Sequence, residues 1–107
     1  QIAEWFHLVG EALEIVRSAH AAAGPTIVQL WPEHFDLACS VGEVNLGGSP
    51  GDDAHPEPYL YVGPWQQRSG DFWNEPWGAS LDRRAVPDVA AAVEFLERGL
   101  SEAGAAQ

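Results

Sequence analysis

Residues 29–38 read QLWPEHFDLA, and this stretch decides how the strands in the middle of the chain are divided. Pro32 restricts the backbone around it, so Pro32 and Glu33 are expected to form a kink or turn. The apolar residues before the proline, from position 26 onward, predict a short strand. Residues 35–41 alternate between larger apolar side chains and small or polar ones, which indicates a second strand with two different faces. The stretch is therefore interpreted as the ends of two successive strands.

Helices are predicted at both ends of the chain. Residues 2–23 carry apolar side chains at helical spacing over a wide arc, and Gly24 and Pro25 end this pattern. Pro87 suits the first position of a last helix, and Asp88 suits its first turn. Between the helices, residues 43–46 and 59–62 predict a third and a fourth strand, and residues 77–81 could add a short one. This order predicts an α+β fold, in which the N- and C-terminal helices pack on one face of a small antiparallel sheet of about four strands.

Alternation along the strands predicts an apolar face and a polar, aromatic face of the sheet. Cys39 and Val41 belong to the apolar face, and Asp36 belongs to the other. Flat aromatic rings beside amide and carboxylate groups suit a sugar or another polar ligand that contains a ring. The candidate ligand-binding residues are Gln29, Trp31, Glu33, Asn45, Tyr59, Tyr61 and Trp65. The alternative is that another part of the protein, or a second copy, covers this face and makes its aromatic residues core.

His34 and Asp36 stand two residues apart on a predicted strand, which places their side chains on one face. The carboxylate could orient the imidazole as a general base, and the turn-rich segment 47–58 could complete a site. The candidate catalytic residues are His34, Asp36, Asp52 and His55, with Glu57 close to them in sequence. Alternatively, Asp36 accepts loop amides or pairs with an arginine, and His34 caps a turn. The spacing matches no zinc pattern, so neither a metal nor a cofactor is predicted.

The composition excludes several partners. The formal net charge is −11, from 16 acidic residues against five basic ones, all of them arginine. Nucleic acid and anionic membranes are poor partners for such a chain, because phosphate binding needs clustered positive charge. The single cysteine, Cys39, lies in an apolar run and is expected to be a buried thiol, which excludes an internal disulfide. The chain shows no signal peptide and no membrane-spanning apolar run, so a cytoplasmic location is expected.

Two blocks of this sequence resemble a family of uncharacterised bacterial proteins, known as a domain of unknown function. They are QLWPEHFDLA at residues 29–38 and GSPGDDAHPEPYLYVGPW at residues 48–65. The resemblance continues weakly through FWN at 72–74 and WGA at 77–79. It implies that the chain matches the C-terminal half of longer proteins, and it supplies no activity and no catalytic residues. Since the chain starts at Gln1 and contains no methionine, residues 1–107 are expected to be a single domain from a longer protein.

Three functions stay open on this basis. The first is a small-molecule-binding domain that uses the polar, aromatic face. The second is a hydrolase-type enzyme centred on His34, Asp36 and the Asp52 to His55 loop, which could depend on a metal. The third is a structural half-domain that is stable only with an N-terminal half or as a homodimer.

Overall fold

The computed structural model describes residues 2–31 and 35–104, and it confirms the α+β class. Two helices enclose five strands in sequence order. Their bounds are α1 Ile2–Ala19, β1 Gln29–Trp31, β2 Asp36–Val41, β3 Val44–Ser49, β4 Tyr59–Pro64, β5 Ala79–Asp82 and α2 Val89–Ala103. Short 3-10 turns follow α1 at Ala21–Ala23 and β5 at Arg83–Ala85. Neither of the described helices is long and apolar enough to cross a membrane.

The five strands form one antiparallel sheet in which spatial order follows sequence order. Each strand therefore pairs with its neighbour in the chain, through connections that range from two residues between β2 and β3 to residues 65–78 between β4 and β5. The tightest turn joins β2 to β3, where Val41 pairs with Val44 and Gly42 adopts a φ of 60°. That left-handed backbone suits glycine in a two-residue hairpin. The fifth strand, which the sequence only suggested, pairs with β4 through residues such as Tyr61 and Ser80.

The core lies between the helices and the predicted apolar face. Cys39, Val41, Leu46 and Val62 are all buried there, which confirms the predicted alternation. Helix α1 contributes Trp5, Val9, Leu13 and Val16, and helix α2 contributes Leu96 and Leu100. The indole of Trp5 is buried, and its Nε1 donates a hydrogen bond to the carbonyl of Ser49 over 2.9 Å. This satisfies the one polar atom of the largest core side chain.

Residues 47–49 correct the sequence interpretation, which placed them in a loop. The two glycines and the serine continue β3, and a residue without a side chain is needed at Gly47 on one face and at Gly48 on the other. A Cβ atom at Gly48 would lie 2.5 Å from Val9 of α1, so glycine lets the helix approach the sheet. Glycine weakens a strand on its own, and here close packing compensates for that cost.

The helix ends also differ from the predicted boundaries. Helix α1 ends at Ala19, and the segment to Gly24 closes as a 3-10 turn with Gly24 at a φ of 65°. Helix α2 begins at Val89, with Asp88 as the N-cap that accepts from the backbone N–H of Ala91 over 2.9 Å. Pro87 therefore precedes the cap, and Asp88 is not in the first turn. A hydroxyl or carboxylate cap satisfies one amide that the helix leaves unpaired.

Candidate functional site

The sheet face opposite the helices, called the open face below, contains a row of two small residues, Ala38 and Gly47. Across the strands, Ala38 pairs with Gly47, and Gly47 pairs with Tyr61. Because Gly47 has no side chain, the phenol of Tyr61 lies over β3. A Cβ atom at Gly47 would stand 2.5 Å from the Tyr61 hydroxyl oxygen and 2.8 Å from the carbonyl oxygen of Leu37. Glycine at this position is therefore what lets Tyr61 reach the strand beyond.

The hydroxyl of Tyr61 donates a hydrogen bond to Oδ2 of Asp36, which lies two strands away on β2. The other carboxylate oxygen of Asp36, Oδ1, is buried and has no hydrogen-bond partner among the residues that the structure describes. Burial, followed by the hydrogen bond to Asp36 and its charge, raises the pKa of Tyr61 far above its ordinary value. Tyr61 is therefore a neutral donor, and Asp36 keeps an acceptor to which no described group donates.

A second tyrosine–aspartate pair lies beside the first. The hydroxyl of Tyr59 donates to Oδ2 of Asp52 over 2.8 Å, and Oδ1 of Asp52 accepts from the backbone N–H of His55 over 2.8 Å. Burial and the hydrogen bond to Asp52 raise the pKa of Tyr59 to about 12. Asp52 thus fastens its loop to β4, and both of its oxygens have donors within the protein.

The imidazole of His55 makes contacts through one ring face and through both ring nitrogens. The imidazole packs against Tyr59 with 4.1 Å between ring centroids. Its Nε2 lies 3.0 Å from Oδ1 of Asp82 on β5, and its Nδ1 lies 3.2 Å from the carbonyl oxygen of Glu57. Both ring nitrogens therefore have partners inside the protein. These contacts favour a role for His55 in holding the loop against the sheet.

Tryptophans border the open face at both ends. Trp31 of β1 pairs with Asp36 and is 45% exposed. Trp77 packs edge-on against Tyr61, with 6.1 Å between ring centroids, and is also 45% exposed. Trp77 is the one aromatic residue of the face that the sequence did not assign to the site. Its place at the start of the predicted short strand at 77–81 was the available signal.

Two neighbouring hollows in the open face share Asp36 and Tyr61. One, of about 530 Å³, extends toward β1, and the other, of about 420 Å³, extends toward β4 and β5. The first is lined in addition by Gln29, Trp31 and Asn45, among others, and the second by Ser49, Asp52, Tyr59 and Trp77. The hydrogen bond between Asp36 and Tyr61 therefore forms the ridge between the two. Together the hollows are of the size that small-molecule sites have in proteins.

The structure brings most of the predicted site residues together. Asp36, Asp52, Tyr59 and Tyr61 line the second hollow, and Gln29, Trp31 and Asn45 line the first with Asp36 and Tyr61. Trp65 lines neither, since it is 62% exposed and its Nε1 donates to Oδ1 of Asn45 over 3.2 Å. Glu33 and His34 lie outside the described residues. Within residues 2–31 and 35–104, no three histidine, cysteine, aspartate or glutamate side chains converge on a metal-sized site.

Comparison of the chain with protein-family models, curated proteins and solved structures yields no match. A function for this chain must therefore be argued from the chemistry of the open face.

Proposed function

We propose that this protein binds a small polar molecule with a ring or another flat surface in the hollows of the open face. The observation that carries the proposal is Oδ1 of Asp36, a buried carboxylate oxygen without a described partner, at the ridge between two hollows. A buried acceptor without a donor costs about 1–3 kcal/mol, so a ligand that supplies the donor is stabilised there. The terminal torsion of an aspartate is soft, so the carboxylate can turn this oxygen toward either hollow.

The aromatic side chains supply the rest of the binding surface. Trp31 lines one hollow, and Tyr59 and Trp77 line the other, with Tyr61 shared between them. Such rings offer broad apolar faces at a low entropic cost, while the phenol oxygens and the amides of Gln29 and Asn45 fix orientation. The combination favours a ligand that has both flat apolar surface and hydrogen-bonding groups.

The contacts within the site argue for binding rather than catalysis. Asp52 and His55 are engaged in holding their loop to β4 and β5. Among the described carboxylates of the site, Asp36 is the one with an oxygen that accepts no hydrogen bond. The hydroxyl of Ser49, which lines the second hollow with Asp36, is buried and accepts from the backbone N–H of Gly51. We therefore propose a binding domain, and the hydrolase alternative gains no support from the described residues.

The test is a ligand screen by thermal shift, followed by two-dimensional NMR on the compounds that raise Tm. We expect stabilising compounds to change the NMR signals of backbone amides in β2, β3 and β4, and we expect these changes to be lost in Trp77→Ala. Trp65→Ala is the matched control, because Trp65 is exposed outside both hollows. Compounds whose shifts map elsewhere, or persist in Trp77→Ala while Trp65→Ala abolishes them, would contradict the proposal.

A second candidate, self-association, is favoured by the exposed apolar residues around β1. Leu30 and Phe35 are 51% and 65% exposed, and Ile27 lies close to them in sequence and is exposed as well. Strand β1 is an edge of the sheet, so one side of its backbone is open to another strand. We propose pairing with a second copy as the alternative, and light scattering tests it. A monomer at all concentrations would remove it.

A further inference from the structure

We infer that the ligand of the open face is an organic cation, carrying an ammonium or amidinium group beside a flat or compact apolar part. This inference rests on the proposed binding function and names the chemical class of its ligand. It comes from the charges that line the hollows, from the buried oxygen of Asp36 and from the aromatic rings around them.

Among the described residues, the lining of both hollows contains carboxylates and no basic side chain. Asp36 borders both hollows, and Asp52 borders the second. The chain has no lysine, and none of its five arginines lines either hollow. Among the described residues, Asp36 has one partner, the neutral hydroxyl of Tyr61. Within residues 2–31 and 35–104, the negative charge of Asp36 is therefore compensated by a hydrogen bond but not by a positive charge.

An uncompensated carboxylate in a partly buried place favours a cation over a neutral ligand. A sugar hydroxyl would supply a donor to Oδ1, but the charge of Asp36 would lose hydration without gaining a counterion. An ammonium or amidinium group supplies the donor and the opposite charge together, and such charge-assisted hydrogen bonds are the stronger ones. Anionic ligands are disfavoured for the same reason, since Asp36 and Asp52 would repel them.

The aromatic rings also fit a cation. Tyr61 stands between Tyr59 and Trp77, with ring centroids 6.3 Å and 6.1 Å away. The face of an electron-rich ring attracts a positive charge, most strongly in tryptophan. Because burial and the neighbouring aspartates keep both tyrosines neutral, their oxygens retain lone pairs that accept N–H donors. An inorganic cation is a poorer match, since within the described residues no three metal-ligating side chains converge.

The experiment compares cations with neutral molecules of the same shape. Choline is paired with 3,3-dimethylbutanol, benzylamine with benzyl alcohol, and methyl glucoside represents neutral sugars. Binding is measured by calorimetry and by NMR on the wild type. At low ionic strength we expect at least one cation to bind about tenfold or more tightly than its neutral counterpart, with shifts at Asp36 and Tyr61.

Asp36→Asn is the decisive variant, since it keeps the size of the side chain and removes the charge. We expect it to abolish the preference for the cation, reducing its affinity about tenfold or more. Asp53→Asn is the matched control, because Asp53 is exposed, lines neither hollow and carries the same charge. It is expected to leave the preference intact. If Asp36→Asn does not fold, the wild type decides: added salt must weaken cation binding and leave the neutral counterpart unchanged.

The outcomes separate this inference from the function on which it rests. Equal affinity for each cation and its counterpart, or binding of methyl glucoside alone, overturns the cation inference while the open face remains a binding site. A cation preference that Asp53→Asn removes as strongly as Asp36→Asn also overturns it, because the effect is then net charge. If no probe perturbs β2, β3 or β4, the inference is overturned and the proposed function loses its support.

Discussion

Removal of a single hydroxyl, in Tyr61→Phe, is expected to destabilise the protein through Asp36. The ring keeps its place over Gly47 and its edge contact with Trp77, so little packing is lost. Oδ2 of Asp36 loses its donor, however, and Oδ1 has none among the described residues. The substitution thus leaves a carboxylate without any described hydrogen bond, in a position from which part of its hydration has been removed.

The magnitude follows from the charge and burial of the acceptor. Hydrogen bonds to charged groups contribute about 1.5–3 kcal/mol, and a buried group left without its partner costs a similar amount. We therefore expect Tyr61→Phe to lower the free energy of unfolding by about 2 kcal/mol at neutral pH. For a chain of this size that corresponds to a fall in Tm of about 10 °C. Urea unfolding followed by tryptophan fluorescence, and calorimetry for Tm, measure both quantities.

A double-mutant cycle with Asp36→Ala isolates the interaction. Once the carboxylate is absent, the hydroxyl of Tyr61 has lost the acceptor it was bound to, and Tyr61→Phe is expected to be neutral or slightly stabilising. Tyr59→Phe is the comparison, because in this variant Asp52 keeps the hydrogen bond from the backbone N–H of His55. Its free energy of unfolding should therefore fall by only about 1 kcal/mol. The reasoning is refuted if Tyr61→Phe lies within about 0.5 kcal/mol of the wild type, or if the two substitutions are additive.

Three further outcomes are expected. Because burial raises the pKa of Tyr59 from 10 to about 12, its contribution to stability is complete below pH 10 and is lost as pH rises toward 12. Tyrosinate absorbance should therefore stay low near pH 10 and rise only as the pH approaches 12, and titration of both tyrosines near pH 10 would contradict this. Gly47→Ala should cost about 1–3 kcal/mol in urea unfolding, since its Cβ meets Tyr61 and a backbone carbonyl; an unchanged midpoint would contradict the crowding. Asp88→Ala should cost about 1 kcal/mol through loss of the α2 N-cap, and Asp88→Asn should restore most of it.

The fold class could be predicted because period-2 alternation is a local property of the sequence. Leu46 and Val62 belong to strands in which every second residue, on the helix side, is apolar or small. Their burial under the helices therefore follows from strand geometry alone. The continuation of β3 through residues 47–49 could not be predicted in this way. Glycine and serine are typical of turns, and here the two glycines are required by Val9 on one face and Tyr61 on the other. Only the packed structure shows such requirements.

Which residues share the open face could be predicted from the sequence, but their pairings could not. Alternation places Asp36, Tyr59 and Tyr61 on one face, but the register decides that Tyr61 reaches Asp36 across β3. The partner of His55 lies on β5, at Asp82, far along the chain, and no local pattern selects it from the other acidic residues. Sequence reasoning therefore names the residues of the open face, while their division into anchors and free acceptors depends on tertiary contacts.

The row of small residues bears on whether the open face binds a ligand or is covered by another layer of protein. A sheet face that packs against a second layer needs apolar side chains that fill the space between the layers. Here Ala38 and Gly47 add no large apolar side chain to the face, and the group that lies over Gly47 is the phenol of Tyr61, hydrogen-bonded to the carboxylate of Asp36. Covering this surface would bury a charge without a counterion, unless the covering segment supplied one. The same requirement, a positive group opposite Asp36, thus holds for a small cation and for any protein segment that could take its place.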